Sequence, residues 1–289
     1  VDLCPIADGG EGTVAALVAA LEPDVHHASV TDPLGREIDA EFAIDGTEAY
    51  LETAAASGLH LVADDERDAW AASTAGTGEL ILAAVRAGAR TIALGVGGSA
   101  TTDGGAGALA AIERGGGLDR ANLIVLCDVR TSFEDAARVF APQKGADEEQ
   151  VRRLTKRLND LARRLPKDPR GIVMTGAAGG LSGGLWAALG ARLVAGAPFV
   201  LDAVGFDDRM RAARAVVTGE GKLDEQSLVG KAVSEVATRA RQAGVPCHAV
   251  VGTRELDSMG ARVLDLDRVL EATTLTELEA AGRELAKLI

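Results

Sequence analysis

Residues 94–107 read LGVGGSATTDGGAG, and this stretch decides the predicted fold class. An apolar strand over residues 90–95 runs into a glycine turn, a run of hydroxyl side chains, Asp103 and then a helix over residues 104–112. Strand, glycine turn and helix in this order are typical of α/β proteins. Such a loop brings backbone N–H groups to one point, as phosphate binding requires. The structural alternative is a tight turn followed by an Asp N-cap.

The segments on both sides of this loop predict further strands and helices. Residues 28–31, 37–44 and 48–53 alternate in strand fashion between turn residues and predict an antiparallel meander. The other predicted strands cover residues 1–7, 123–129, 214–218 and 247–252. The other predicted helices cover residues 13–21, 74–87, 132–140, 147–165 and 227–243.

These elements predict an α/β fold with two domains. One is a Rossmann-like parallel-sheet domain formed by residues 1–24 and 190–289. The other is an inserted α/β domain, residues 25–189, that contains the antiparallel meander.

Composition excludes several classes of protein. The chain has 289 residues, of which 47% are hydrophobic and 3% aromatic, so Ala, Leu and Val must fill a globular core. A net charge of −13 without a basic stripe argues against a nucleic-acid partner. No apolar run reaches membrane-spanning length, and three widely spaced cysteines form neither a disulfide framework nor a zinc motif. These features predict a cytoplasmic protein, with the choice between monomer and homodimer left open.

Three more glycine clusters are candidates for binding phosphate or substrate. Residues 217–224 follow a predicted strand and add a lysine and carboxylates. They do not form a Walker P-loop, because one residue instead of four separates the first glycine from the Gly-Lys pair and Leu223 follows the lysine. Residues 7–13 offer Asp8 and Glu11, and residues 176–184 offer backbone donors almost alone.

Four motifs together resemble the bacterial glycerate kinases and occur in the order of that family. They are residues 7–13 (ADGGEGT), 95–107 (GVGGSATTDGGAG), 140–146 (FAPQKGA) and 218–224 (TGEGKLD). The resemblance continues at residues 31–35, 52–59, 73–80 and 176–181, over nearly the whole chain. It implies a two-domain α/β kinase with its active site in the cleft between the two domains. Such a kinase uses ATP and Mg²⁺ to phosphorylate D-glycerate, commonly at the 2-hydroxyl.

The chain departs from that family pattern in two places. It lacks the N-terminal strand with its Asp-Ser-Phe-Lys motif, and the connection between Ile112 and Leu123 is shortened. Because the sequence begins in a predicted strand, we expect further residues upstream of Val1.

Phosphoryl transfer needs charge neutralisation, in-line positioning and a base for the attacking hydroxyl. Asp128, at the carboxyl end of an apolar strand, is the predicted base or metal anchor, and Asp103 is its predicted partner with the roles interchangeable. Lys144 and Lys222 are the predicted cations for phosphate or carboxylate. The structural alternatives are solvated lysines and carboxylates that cap turns.

The predicted site residues fall into four groups. Catalytic roles are predicted for Asp128, Asp103 and Lys222. Nucleotide or phosphate binding is predicted for Gly95, Gly97, Gly98, Ser99, Thr101, Lys144, Gly179, Gly219 and Gly221. Substrate binding is predicted for Asp8, Glu11 and Asp224, and metal binding for Asp128 and Glu220.

Two other functions remain open at this point. The chain is also compatible with a kinase for another small hydroxy acid, which would turn over ATP with little activity on D-glycerate. A non-catalytic protein that binds a phosphorylated metabolite would show thermal stabilisation by ligand without ADP release.

Overall fold

The structure is a computed structural model that describes residues 1–228 and 231–288. Its contacts divide the chain into two compact units, unit 1 formed by Val1–Asp8 and Ala197–Ile289 and unit 2 formed by Gly9–Gly196. The predicted α/β class is confirmed, since both units combine helices with sheets that contain parallel strands. Residues 9–24 and 190–196 group with unit 2, although they were predicted to belong to the discontinuous domain. That domain assignment stays a prediction.

Unit 2 is built on a six-stranded sheet whose strands lie in sequential order. The strands are β1 (Asp24–Thr31), β2 (Glu37–Asp45), β3 (Glu48–Glu52), β4 (Thr91–Gly95), β5 (Asn122–Cys127) and β6 (Arg192–Ala195). β1 to β3 pair antiparallel and form the expected meander, and β3 to β6 pair parallel. Glu52, Gly95 and Leu126 lie side by side, so the carboxyl ends of parallel strands meet at one edge.

Seven helices of unit 2 surround this sheet and its connections. They are α1 (Thr13–Leu21), α2 (Thr53–Ser57), α3 (Ala75–Arg86), α4 (Ala106–Arg114), α5 (Ala136–Phe140), α6 (Glu148–Ala162) and α7 (Leu181–Leu189). Aliphatic side chains such as Leu80, Ile92 and Val125 fill the core, in agreement with the low aromatic content. A smaller cluster forms where Leu154 and Leu158 of α6 pack around Phe133.

Three predicted helices of unit 2 have different limits in the structure. The helix predicted from residue 104 begins at Ala106, because Gly104 and Gly105 have φ values of +67° and +81° that an α-helix cannot contain. The helix predicted over 132–140 is a 3-10 turn, Phe133–Asp135, followed by α5. The helix predicted over 147–165 is α6, which starts after a capping box between Asp147 and Gln150.

Unit 1 contains a three-stranded parallel sheet. Its strands are β7 (Val216–Leu223), β8 (Cys247–Arg254) and β9 (Arg268–Glu271). The helices are α8 (Gly196–Ala203), which begins at the last residue of unit 2, α9 (Phe206–Ala212), α10 (Ala232–Ala243), α11 (Ser258–Val263) and α12 (Leu275–Leu285). The strand predicted over residues 1–7 is wrong, since no strand is assigned to Val1–Asp8.

β7 continues five residues beyond its predicted end at Thr218. Gly219 pairs with Val250, and a Cβ atom at Gly219 would lie 2.3 Å from the Val250 carbonyl oxygen, so the absence of a side chain permits this close pairing. Gly219 to Lys222 therefore lie in a strand and not in a loop. The helix predicted over 227–243 is observed as α10 from Ala232, and its residues 229–230 lie outside the described part.

No helix in the described part of the chain is both long and apolar enough to cross a lipid bilayer.

Candidate active site

The glycine loop, residues 96–105, connects β4 with α4 at the carboxyl edge of the sheet. Its first part packs against the glycines of the first cluster. Gly97 N–H donates a hydrogen bond of 3.2 Å to the Gly9 carbonyl oxygen. A Cβ atom at Gly97 would lie 2.4 Å from Gly10 Cα, so only glycine allows this approach. Two glycine clusters that are 80 or more residues apart in the sequence thus form one backbone surface.

The other side of the glycine loop is held by the segment that follows β3. Leu59 N–H donates to the Gly98 carbonyl oxygen at 2.8 Å, and Ala100 N–H donates to the Ser57 carbonyl oxygen at 2.9 Å. Ser99 forms an isolated antiparallel bridge with Gly58. The backbone of the glycine loop is therefore fixed by hydrogen bonds on two sides, which is the preorganisation that anion binding needs.

Lys144 lies directly behind the glycine loop. The side chain is buried, with 2% exposure of the residue, and Nζ donates to Ser99 Oγ at 2.9 Å and to the Thr101 carbonyl oxygen at 2.6 Å. Burial lowers the pKa of Lys144 to about 7, and the charge of Asp103 opposes this shift. The ammonium group of Lys144 thus points into the protein, towards the glycine loop. The predicted direct contact between Lys144 and phosphate stays a prediction.

Asp103 is buried and surrounded by hydrogen-bond donors. Its Oδ2 accepts from Thr74 N–H at 3.0 Å, Thr74 Oγ1 at 2.8 Å and Gly107 N–H at 3.1 Å. Its Oδ1 accepts from Gly105 N–H at 3.0 Å. These bonds tie the end of the glycine loop to the start of α3 and α4, so the contacts of Asp103 are those of a residue that positions the loop.

The fourth glycine cluster also packs on the glycine loop. Gly179 has a φ of +63°, and a Cβ atom there would lie 2.0 Å from the Thr101 carbonyl oxygen. Gly104 N–H donates to the Gly179 carbonyl oxygen at 3.0 Å. The hydroxyls of Thr101 and Thr102 are buried and have no hydrogen-bond partner among the described residues. Gly179 is thus a close-packing position behind the glycine loop.

Carboxylates stand at the same edge of the sheet. Asp128 follows the last residue of β5 and is half-buried. Burial of the neighbouring Cys127 thiol, together with the negative charge of Asp128, raises the pKa of Cys127 to about 12. Glu11 is exposed, and its Oε1 lies 4.0 Å from Nδ1 of His60. Its Oε2 lies near Gly98, because it would be 3.2 Å from a Cβ atom built on that glycine. Unit 2 therefore holds Asp128, Glu11 and the glycine loop on connections at one sheet edge.

The remaining predicted residues belong to unit 1. Glu220 is a partly buried residue of β7, and its burial raises the pKa of its carboxyl group. A hydrogen bond with Ser227 and the positive charge of Lys231 lower that pKa and so oppose the shift. The nearby charges of Asp224 and Asp8 add to that rise. One oxygen of Glu220, Oε1, is buried without a hydrogen-bond partner among the described residues.

Lys222 of β7 is exposed and paired with carboxylates. Its Nζ lies 2.9 Å from Oε1 of Glu255 and 3.9 Å from Oδ2 of Asp224. Hydrogen bonding to Glu255 raises the pKa of Lys222, which keeps its ammonium charged. Within the described residues, no three His, Cys, Asp or Glu side chains come together as a metal site.

Comparison with known proteins gives the family of this chain. A sequence profile described as the glycerate kinase family matches residues 1–116 and 115–289. The chain belongs to the glycerate kinase family.

Individual relatives match over most of their length. A glycerate kinase of Halalkalibacterium halodurans is 37% identical, over 98% of this chain and 88% of that protein. The glycerate 2-kinase of Escherichia coli is 38% identical, over 96% of this chain and 83% of that protein. A crystal structure of a Salmonella typhimurium LT2 protein assigned as glycerate kinase 2 has a TM-score of 0.79 at 33% identity, covering 99% of this chain and 89% of that one. The predicted family and the predicted enzyme class, a kinase, are confirmed.

Glu52 is a polar residue at this edge of the sheet that was not among the predicted site residues of this glycerate kinase family member. Glu52 ends β3, and its carboxylate accepts from Val14 N–H at 2.6 Å and Gly12 N–H at 3.2 Å, so it caps the N-terminus of α1. Burial raises the pKa of Glu52. The signal in the sequence is its place in the motif at residues 52–59, but its partners are about 40 residues away, so no local pattern predicts the contact.

The buried lysine predicts a pH dependence of stability. An unfolded lysine titrates near pH 10.4, so between pH 7 and 10 the unfolded chain binds the proton that folded Lys144 has lost. The unfolding free energy of the wild type should therefore rise with pH in this window, relative to Lys144→Met, by at least about 1 kcal/mol from pH 7 to pH 9. Urea denaturation of both proteins measures this difference. The exposed Lys156→Met is the control, and a wild-type to Lys144→Met difference that is constant with pH would contradict the prediction.

Proposed function

We propose that this chain transfers the terminal phosphoryl group of ATP to a hydroxyl of D-glycerate, with 2-phosphoglycerate favoured as the product. The observation that carries the proposal is the family match over the whole chain, with the glycine loop at the carboxyl edge of parallel strands. Relatives that match nearly the whole chain are named for glycerate phosphorylation, and one of them for the 2-kinase reaction.

In this proposal the glycine loop binds phosphate. Gly95, Gly97 and Gly98 are proposed as phosphate contacts, because glycine lets an anion approach the backbone closely at a strand end. Gly97 N–H already donates to the Gly9 carbonyl oxygen, and the Glu11 carboxylate lies near Gly98, so a bound phosphate would use other donors of the loop. The chain as a whole is acidic, so local donors and cations must provide the attraction for the nucleotide. Gly219 and Gly221 are proposed as a second phosphate contact, on β7.

Asp128 is proposed as the base for the attacking hydroxyl or as a metal ligand. It is half-buried at a strand end, where ligands of α/β proteins bind. Asp103, proposed as its partner, acts in this scheme by holding the glycine loop, because its oxygens already accept four hydrogen bonds. Lys222 is proposed to supply positive charge, and Asp8, Glu11 and Asp224 to bind the substrate.

Mg²⁺ is the metal that the proposal requires. Proteins commonly hold Mg²⁺ through one or two carboxylates together with phosphate oxygens and water. Asp128 and Glu220 are each proposed as a carboxylate that could bind the metal. Oε1 of Glu220 is buried without a hydrogen-bond partner among the described residues, so it is an oxygen of the required chemistry. When bound, Mg²⁺ would neutralise phosphate charge.

The experiment that tests this function is ADP release by the protein with Mg-ATP and D-glycerate, with ³¹P NMR to distinguish 2- from 3-phosphoglycerate. We expect ADP release only when glycerate is present, and the 2-phosphate as the product. L-glycerate and glycolate are the comparison substrates. Turnover with one of these and not with D-glycerate would support a kinase for another hydroxy acid. Thermal stabilisation by ligand without any ADP release would support a binding protein.

A further inference from the structure

Lys144 is a buried charged residue whose role the proposed function does not explain. It ends a 3-10 turn, Pro142–Lys144, and is as buried as the core of unit 2. Burying an ammonium group is costly, and in the described part of the chain no carboxylate lies within ion-pair distance of Nζ. Its two hydrogen-bond acceptors, Ser99 and Thr101, both belong to the glycine loop.

Charged residues also lie near Lys144. Asp103, at the end of the glycine loop, is the carboxylate whose charge favours the ammonium form. Arg67 lies in a segment that packs against Gly145, and its Cβ would lie 3.0 Å from a Cβ atom built on Gly145. The guanidinium of Arg67 is itself paired with Asp64 at 2.6 Å. Lys144 therefore depends mainly on the hydrogen bonds to the glycine loop for compensation of its charge.

The direction of these hydrogen bonds has a chemical consequence for Ser99. A lysine ammonium can only donate, so Ser99 Oγ must accept from Nζ. The hydroxyl proton of Ser99 then points away from Lys144 and can donate to another acceptor. Ser99 is itself largely buried, with 7% exposure, and the preceding residue, Gly98, is exposed. A ligand that reaches the turn at Gly98 therefore lies next to a serine whose hydroxyl is set as a donor.

The second hydrogen bond of Lys144 controls the backbone of the same loop. Nζ holds the Thr101 carbonyl oxygen at 2.6 Å, two residues after Ser99. One ammonium group thus fixes both a side chain and a carbonyl of the glycine loop. A charge-assisted hydrogen bond is stronger than a neutral one, and it also polarises the hydroxyl that accepts it.

We propose that Lys144 is a positioning residue that turns the Ser99 hydroxyl into a hydrogen-bond donor for a phosphate oxygen of the nucleotide at the glycine loop. The proposal rests on the proposed function for the identity of the nucleotide. It changes the predicted role of Lys144 from direct phosphate contact to action through Ser99, and it makes nucleotide binding depend on the charge of a buried lysine.

The test is the dissociation constant of Mg-ATP, measured by isothermal titration calorimetry at pH 6.5. Wild type is compared with Ser99→Ala, Lys144→Met and the double variant, with Lys156→Met as an exposed lysine control. We expect each single variant to bind about tenfold more weakly or worse. The double variant should bind no more weakly than the weaker single variant, because Lys144 acts through Ser99. Losses that multiply, or wild-type affinity of Lys144→Met, would overturn the proposal.

The pH dependence gives a readout that a purely structural role would not change. The Lys144 ammonium loses its proton near pH 7 in the free protein, so wild-type affinity should weaken from pH 6.5 to pH 8.5. Ser99→Ala should remove most of this dependence, and Lys144→Arg should keep its affinity at pH 8.5 because a guanidinium stays charged. If a Lys144 variant does not fold, Ser99→Ala alone tests the proposal. An ATP affinity of Ser99→Ala that depends on pH as strongly as that of the wild type would contradict it.

The Mg-ATP titrations, read together with the ADP-release assay, separate this proposal from the proposed function. ATP binding with the expected pattern, but without phosphoryl transfer to D-glycerate, would contradict the function and support the role of Lys144. Turnover of D-glycerate by a wild type whose ATP affinity does not depend on Lys144 would do the reverse. A wild type that binds no ATP would overturn both.

Discussion

Replacing Asp128 with asparagine is expected to lower kcat for ADP release with D-glycerate by two to four orders of magnitude. Asparagine has the shape of aspartate but can neither accept a proton at neutral pH nor bind Mg²⁺ as an anion. The half-buried position of Asp128, directly after β5 at the edge where β4 and β6 also end, should tolerate the amide without loss of fold. Steady-state kinetics measure the loss, and circular dichroism and urea denaturation check the fold.

Asp45→Asn is the matched control for this variant. Asp45 also ends a strand of the same sheet and is exposed. β2 runs antiparallel to β3, so Asp45 lies at the opposite edge from Asp128. We expect Asp45→Asn to keep wild-type kcat within a factor of about two. A loss below tenfold in Asp128→Asn would remove Asp128 from the catalytic role and direct attention to Glu11 and Asp8.

A large effect on stability is expected for Gly179→Ala, with a loss of at least about 3 kcal/mol of unfolding free energy. The new Cβ would lie 2.0 Å from the Thr101 carbonyl oxygen and 2.6 Å from Thr102 Cα, so backbone and not a flexible side chain would have to move. The same carbonyl is held by Lys144, which limits the relaxation of the loop. Urea denaturation measures the loss, and ATP affinity should weaken in any protein that still folds.

Gly190→Ala separates steric contact from backbone strain. Gly190 has a φ of +71°, close to the +63° of Gly179, but no atom lies within 4 Å of a Cβ built there. It should therefore lose only the roughly 1 kcal/mol that a left-handed conformation costs alanine. Equal losses in the two variants would show that close packing behind the glycine loop contributes little.

Local patterns were sufficient for most of the elements. The turn residues between residues 28 and 53 predicted the antiparallel meander, because turn geometry is set by neighbouring residues. The strand limits of β4 and β5 were predicted within two residues. The errors lie where pairing in space overrides local sequence, as in β7, whose glycines predict a loop but pair with β8.

The α/β class, the family and the residues of the glycine loop could be predicted from the sequence alone, because these depend on periodicity, on glycine and on ordered motifs within short segments. The tertiary structure alone decided which residues contact each other. It set Gly97 against Gly10, Glu52 on the start of α1 and Lys144 behind Ser99. The physical reason is that burial and hydrogen-bond direction depend on partners 40 to 80 or more residues away, and no local pattern specifies those partners.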